Sequence, residues 1–537
     1  MKHLTHWTRL TGLLLAGSLV ATGCADSSTD GGDGAGELGK NEIYTTGLLR
    51  QSDAGTPVQG GVLTVAEYSE ARTLDPTQGY ANGSVGGSAL AAVYDALMRY
   101  DFKDRSWKPK LAESLASDDN VTWTLKLREG VKFADGTPYD ADAVIGSLSH
   151  YMKKYGYQST TMLANQTKMK KIDDRTVEFT NAGPWATFPA MLAGGPGMIM
   201  APSAYKDPKA FKPVGAGPFE LEAYKPGEEL VLKSRADYWD GKPHLEKLRF
   251  VWLGADDAKL ESLKSGGVDS AYLRNAQTTE KAIKDGAGGM MFVVGAGSQI
   301  TINTRKDRPG ADKRVRQAIQ LAFDNKAYAE RALQGAGIPS KSLFADSSPW
   351  STGVKYPEVD REAAKKLVTE AKADGWDGKV SYLAGGDPAS QQAAVQVEAQ
   401  LEAVGFDVTI EGSANIADGT KRLYIDHDFD LALSAANVGD ADPYSSLYEV
   451  YASTGTTNLT GYANPEMDKL LAELRENGAD PAAAKKALTG IETLIRDDAP
   501  VVQVAPSGNF LPWSKNVHGI VPTVQEMVFY DKAWKKQ

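Results

Sequence analysis

Cys24 has no second cysteine to pair with anywhere in the 537 residues. An intramolecular disulfide and a zinc site built on paired thiolates are therefore excluded, and the fold must be held by packed apolar surface. The position of that cysteine is equally informative. Lys2 and Arg9 precede an apolar run from Leu10 to Ala21. At roughly a dozen residues the run is too short for the ~20 that cross a bilayer as a helix. With small residues between the run and Cys24, residues 1–23 read as a secretory signal.

From Cys24 to residue 57 the composition turns to Ser, Gly and Asp, as in DSSTDGGDGAG. Such a stretch buries too little apolar surface to offset the entropy of ordering, so 24–57 is expected to be a flexible tether. About thirty residues of this kind reach on the order of 30 Å. The remaining length suffices for two or three domains. VLTVAE at 62–67 reads as a strand that runs into the Leu74-Asp75-Pro76 turn. Val121, Trp123, Leu125 and Leu127 alternate with polar residues, the period of a half-buried strand, and Gly130 follows. Asp312 is placed to cap a helix bearing Val315, Ala318, Ile319 and Ala322, with Gly335 beyond its far end. Asn464-Pro465 and Asp480-Pro481 each read as a helix start. Strands and helices interspersed along the chain predict the α/β class.

Acidic residues outnumber basic ones, 69 to 59, so the field of the molecule repels phosphate backbones and nucleic acid is not an expected partner. Four histidines, His150, His244, His427 and His518, lie beyond the signal. None stands in HExxH, and no GxSxG elbow or P-loop occurs, so no hydrolase or ATPase motif is present. Asp426-His427-Asp428-Phe429-Asp430 lacks the glycine and glutamate of a calcium loop and reads as a solvated strand end. Neither a metal nor a cofactor is expected, nor an enzymatic activity.

Ala21-Thr22-Gly23-Cys24 resembles the lipobox of bacterial lipoproteins, which implies a lipidated Cys24. Several further stretches resemble the extracytoplasmic solute-binding family that includes the dipeptide- and oligopeptide-binding proteins of ABC importers. They are Leu111-Ala112-Glu113-Ser114 with VTWTLKLREGVKFADGTPYDADAV (121–144), GAGPFELEAYKPGEELVL (215–232) and ADYWDGKP (236–243). RVRQAIQLAFD (314–324), DFDLALS (428–434) and IRDDAPVV (495–502) follow in the family's order. Residue by residue these motifs are scaffold: Asp135-Gly136 suits a turn, Thr137 or Asp140 a cap, and Gly215 and Gly217 a special backbone rather than a phosphate cradle.

The resemblance implies a two-lobed periplasmic-binding-protein fold with hinge strands. Lobe one is expected at 58–300 with 507–537, a subdomain inserted at 100–212, and lobe two at 301–506. It further implies a monomer, lipid-anchored on the outer face of the bacterial cytoplasmic membrane, that passes a solute, first of all a peptide, to ABC permease subunits. A non-peptide solute (an oligosaccharide, an opine-like compound or a metal complex) and a ligand-sensing role remain as alternatives. Two segments are expected at the ligand: the loop with Asn82, Gly83 and Ser84, and the segment with Asn437, Asp440, Asp442 and Tyr444. Peptide-binding relatives place an ammonium-pairing aspartate where Gly439 stands here, so Asp440 is the first choice for that role. Asp442 is the second choice, although before a proline it is expected rather to shape the turn.

Cys24→Ser is expected to release the protein from the membrane or leave it unprocessed, because stable anchoring needs more than one acyl chain. Fractionation and gel mobility identical to the parent would refute the lipid anchor.

Overall fold

The computed structural model of the chain describes residues 38–50, 55–207 and 209–536. The expected signal, Cys24 and residues 25–37 lie outside the described residues. The body is organised on a sheet of eleven strands among the described residues. Across it lie Asp407–Gly412, Lys379–Ala384, Leu431–Ala435, Gly288–Ile302, Val501–Trp513, Ser270–Ala271, Val62–Glu67, Lys247–Trp252, Glu229–Ser234 and Phe219–Lys225 in that order, with Gly47–Leu49 added beside Gly288–Ile302. The two central strands are much the longest. They pair antiparallel from Gly288 opposite Trp513 to Thr301 opposite Val501, and the register shifts between Val294 and Ser298.

Apolar side chains gather at both ends of this sheet. Leu63, Val65, Phe250, Tyr272 and Tyr530 share one core, and Ile300, Ile319, Val397, Phe406 and Leu431 share another. A third core joins a four-stranded sheet, Ala112–Ala116, Thr122–Leu127, Thr176–Thr180 and Lys168–Asp173, to the helices Pro465–Asn477 and Pro481–Asp498. Leu125 and Phe179 from the sheet, and Trp185 from the loop after Thr176–Thr180, pack in one cluster with Leu471 and Ile491 from the helices.

The local signals act as their chemistry requires. Trp123, Leu125 and Leu127 are buried on alternate positions of Thr122–Leu127. Asp140 caps Ala141–Lys153 through the Ala143 amide at 2.9 Å, and Asn464 and Asp480 each take an amide two residues on at 2.9 Å. Asp312 caps Lys313–Ala322 at 2.8 Å, but the helix does not continue toward Gly335. Phe323 adopts extended backbone, and Asp324 caps a separate helix, Asn325–Ala332.

Residues 38–50, expected within the tether, are folded instead. Lys40–Ile43 is a short helix, and Gly47–Leu49 pairs antiparallel with Gly289–Met291. Ile43 and Tyr44 interrupt the polar composition and supply the apolar surface that the preceding Ser/Gly/Asp run lacks. They are buried in a cluster with Leu260, Met291 and Phe510. The Tyr44 hydroxyl donates to Glu280 at 3.1 Å. Tyr44→Ala is therefore expected to cost about 3 kcal/mol, as for other buried aromatics. A urea midpoint equal to the parent's would show that this segment is no part of the fold.

Candidate functional site

Asn82 begins the first candidate loop by capping the short turn Gly83–Val85. Its Oδ1 accepts from the Ser84 amide at 2.9 Å and the Ser84 hydroxyl at 2.7 Å. Gly83 is buried with its amide on the Gln525 carbonyl at 2.8 Å. A Cβ at Gly83 would lie 1.9 Å from the Glu526 carbonyl oxygen, so only glycine permits this approach. Just before the loop, Tyr80 packs edge-on against Tyr157 with ring centroids 4.1 Å apart.

The second candidate segment leaves the strand Leu431–Ala435 and is tied to the long central strand by mutual backbone bonds between Val438 and Gly295 at 2.9 and 3.1 Å. Asp440 accepts from the Ser348 hydroxyl at 2.7 Å, and its carbonyl accepts from the Trp350 indole at 2.7 Å. Burial pushes the Asp440 carboxyl up, against the Ser348 bond and the charge of Arg105. Asp442 caps the helix Pro443–Tyr451, taking the Ser445 amide at 3.4 Å, the Ser445 hydroxyl and the Thr187 hydroxyl at 2.8 Å. Its oxygens hold the turn.

These two segments face each other across a cleft. A cavity of about 630 Å³ is lined by Tyr80, Ser84 and Val85 on one side and by Gln299, Ser434 and Asn437 on the other. A narrow extension of about 60 Å³ is lined by Asn82, Gln158, Asn437, Asp440, Asp442 and Glu526. Asn437 and Ser446 line both spaces. Asn437 Oδ1 is buried and has no hydrogen-bond partner among the described residues. Thr46, from the folded segment before the body, also lines the narrow end.

Two of the expected residues stand elsewhere. Tyr444 is 3% exposed and lines neither space: its ring lies 6.0 Å from Trp185, and its hydroxyl accepts from Asn165 at 3.2 Å. Helical spacing after Pro443 turns it into the third core rather than the cleft. Gly83 lies behind the wall, where it admits the 525–526 backbone.

Glu526 was not among the expected residues. It is 5% exposed, accepts from the Tyr272 hydroxyl and from Asn509 Nδ2 at 3.0 Å, and borders the narrow space. Burial raises its carboxyl from an ordinary 4.5 to about 7, against a hydrogen bond from Asn82. Gln525 and Glu526 both hold left-handed backbone, φ 56° and 59°. The one sequence cue is a polar pair set between Val524 and Met527. Glu449 and Arg274 also border the larger space. Glu449 is tied by the hydroxyls of Thr160 at 2.7 Å, Thr161 at 2.6 Å and Thr456, while the Arg274 guanidinium stacks 4.7 Å over Tyr68.

Comparison with known proteins places this geometry in context. The sequence pattern of the bacterial extracellular solute-binding proteins, family 5 middle region, matches residues 106–458. Protein XP55 of Streptomyces lividans is 28% identical over 475 residues, covering 83% of each chain. The glutathione-binding protein GsiB of Escherichia coli (strain K12) is 25% identical over 484 residues, covering 85% of this chain and 91% of that one. The periplasmic binding protein DppA from Helicobacter pylori, solved with peptide STSA, superposes with a TM-score of 0.75 at 23% identity, covering 89% of this chain and 99% of that one. The α/β fold is that of the periplasmic binding proteins.

The Glu526 carboxyl makes stability depend on pH with a definite sign. The folded protein keeps this proton to higher pH than the unfolded chain, so the stability it carries is complete below pH 4.5. It is lost as pH rises toward about 7, by about 3 kcal/mol in all. Glu526→Gln has no proton to lose. Relative to this variant, the parent is expected to lose melting temperature between pH 5 and pH 8, and parallel pH profiles would refute the assignment.

Proposed function

Because the chain belongs to family 5 of the bacterial extracellular solute-binding proteins, which carry solutes and are not enzymes, we propose that it captures a short peptide and delivers it to an ABC permease. The observation that carries this reading is the cleft of about 630 Å³ between residues 80–85 and 434–446. That volume suits a small ligand buried on most of its surface. Its walls are polar: Gln299 and Thr301 each bond to Ser434, and Asn437 Oδ1 is unpartnered among the described residues, an acceptor for a peptide N–H. The glutathione bound by one relative and the peptide held by one structural neighbour support the same class.

In this proposal residues 58–300 with 507–537 form one lobe, 301–506 the other, and 100–212 an insertion in the first. The long strands Gly288–Ile302 and Val501–Trp513 connect the lobes, and closure bends them. Delivery is by a monomer lipid-anchored through Cys24 on the outer face of the cytoplasmic membrane. Gly439 favours a second reading, a non-peptide solute. It stands where peptide-binding relatives keep an aspartate, and a Cβ built on it would meet nothing within 4 Å, so the position is open and uncharged.

Mass spectrometry of what copurifies with the folded body is expected to return peptides. The bound peptide, resupplied at a hundredfold excess over its Kd, should add about 2.7 kcal/mol of stability and reduce the scattering radius. A copurifying sugar, opine or metal complex would move the protein to the second reading, and a tight ligand that leaves the radius unchanged would refute closure.

A further inference from the structure

The narrow end of the cleft is walled by three carboxylates, Asp440, Asp442 and Glu526, and among the described residues no lysine, arginine or histidine lines it. The three are not equivalent. Asp442 is committed to its helix cap and to Thr187. Asp440 is held by Ser348 and lies in the field of Arg105. Glu526 is the most enclosed, and its partners are the neutral donors Tyr272, Asn509 and Asn82.

None of those donors carries a charge, so nothing in direct contact with Glu526 answers the charge of its carboxylate. One other buried group of carboxylates is answered by a cation, although Asp75, Glu449 and Glu492 are held, as Glu526 is, by neutral donors. Lys110 lies 3.4 Å from Asp95 and 3.2 Å from Asp531, all three nearly inaccessible. An ionised carboxylate closed off from water needs a cationic partner. Glu526 is furthermore held in place by an uncommon backbone, left-handed at two consecutive non-glycine residues, with Gly83 cleared of any side chain to let it approach. Strain of this sort is characteristic of positions fixed for a ligand.

We propose that Glu526 is the residue that selects the ligand's charge: it receives a ligand ammonium at the narrow end of the cleft, with Asn437 Oδ1 and Asp440 accepting the remaining N–H groups. The rest of the ligand then continues past Asn437 and Ser446 into the larger space. This rests on the cleft being the ligand site and departs from the expectation that Asp440 is the first partner of the amine.

The test uses tri- and tetrapeptide libraries with free or acetylated N-termini, offered to the parent, Glu526→Gln, Glu526→Asp and Asp440→Asn, with retained members read by native mass spectrometry. The parent should retain free-amine members. Glu526→Gln should weaken them about a hundredfold, since removing one partner strands the other charge. Asp440→Asn should weaken them less than about tenfold, and Glu526→Asp, which keeps the charge, should recover part of the loss. A parent that holds acetylated and free members equally, or a larger loss in Asp440→Asn than in Glu526→Gln, overturns the role of Glu526 while leaving the peptide reading standing. Retention of neither library removes the peptide reading instead. n-Butylammonium chloride then decides the site by itself: it should raise the melting temperature of the parent and not of Glu526→Gln, and equal shifts, or none, overturn the proposal.

Discussion

Gly288–Ile302 and Val501–Trp513 run side by side through the middle of the molecule, and nearly every element of the site is referred to them. The end of Val501–Trp513 pairs with Ser270–Ala271, itself beside Val62–Glu67, and the end of Gly288–Ile302 pairs with Leu431–Ala435, so one ladder carries both ends of the sheet. Where the register shifts, Ala296 turns left-handed at φ 55° and Gly295 bonds to Val438. The interruption thus lies where the second candidate segment attaches. Two long strands that lose regular pairing at one point can bend there at little cost to the rest of the ladder. The cleft takes its position from this arrangement.

Much of the scaffold was legible in the sequence because its signals are local. Caps at Asp140, Asp312, Asn464 and Asp480 need only an oxygen and an amide two or three residues on, and the alternation from Val121 to Leu127 needs only a face to bury. What sequence spacing missed depended on distant partners. Gly215 was read as a need for unusual backbone, yet its reason is proximity: a Cβ there would lie 2.3 Å from the Val93 carbonyl. Tyr44 and Gly47–Leu49 look like the end of a tether until Met291 and Phe510 are seen to cover them. Both candidate segments were readable through resemblance to a family, and the structure brings them to one cleft. Which of their residues line the cleft was not, since Tyr444 turns into the third core and Gly83 lies behind the wall for packing reasons that no motif states.

One buried group of charges in the scaffold contrasts with the carboxylates at the narrow end of the cleft. Burial opposes the charge on Lys110, but Asp95 and Asp531 outweigh it and hold its pKa above the ordinary value. Asp95 is also bonded by Tyr238 at 2.7 Å. That group is closed, with each charge answered from within the chain. At the narrow end of the cleft the carboxylates of Asp440, Asp442 and Glu526 are pushed up by burial, and their hydrogen-bond donors are hydroxyls and amides. An enclosure of one sign is costly to leave unanswered.

The wall of that enclosure is assembled from segments hundreds of residues apart. Gly83 bonds to Gln525, Asn82 reaches Glu526, Asp440 is steadied by Ser348, and Thr46 closes the edge from near the start of the described chain. Asp440 and Asp442 stand two apart, but the rest of the lining comes from distant segments, so no single short motif states the whole site. The same dispersal couples recognition to shape. Residues 82 and 526 adjoin Ala81 and Met527, which share a core with Leu63 and Val65, whereas 437 and 440 follow the strand Leu431–Ala435. A ligand bonded to both sets would favour the arrangement of the long strands that brings them together.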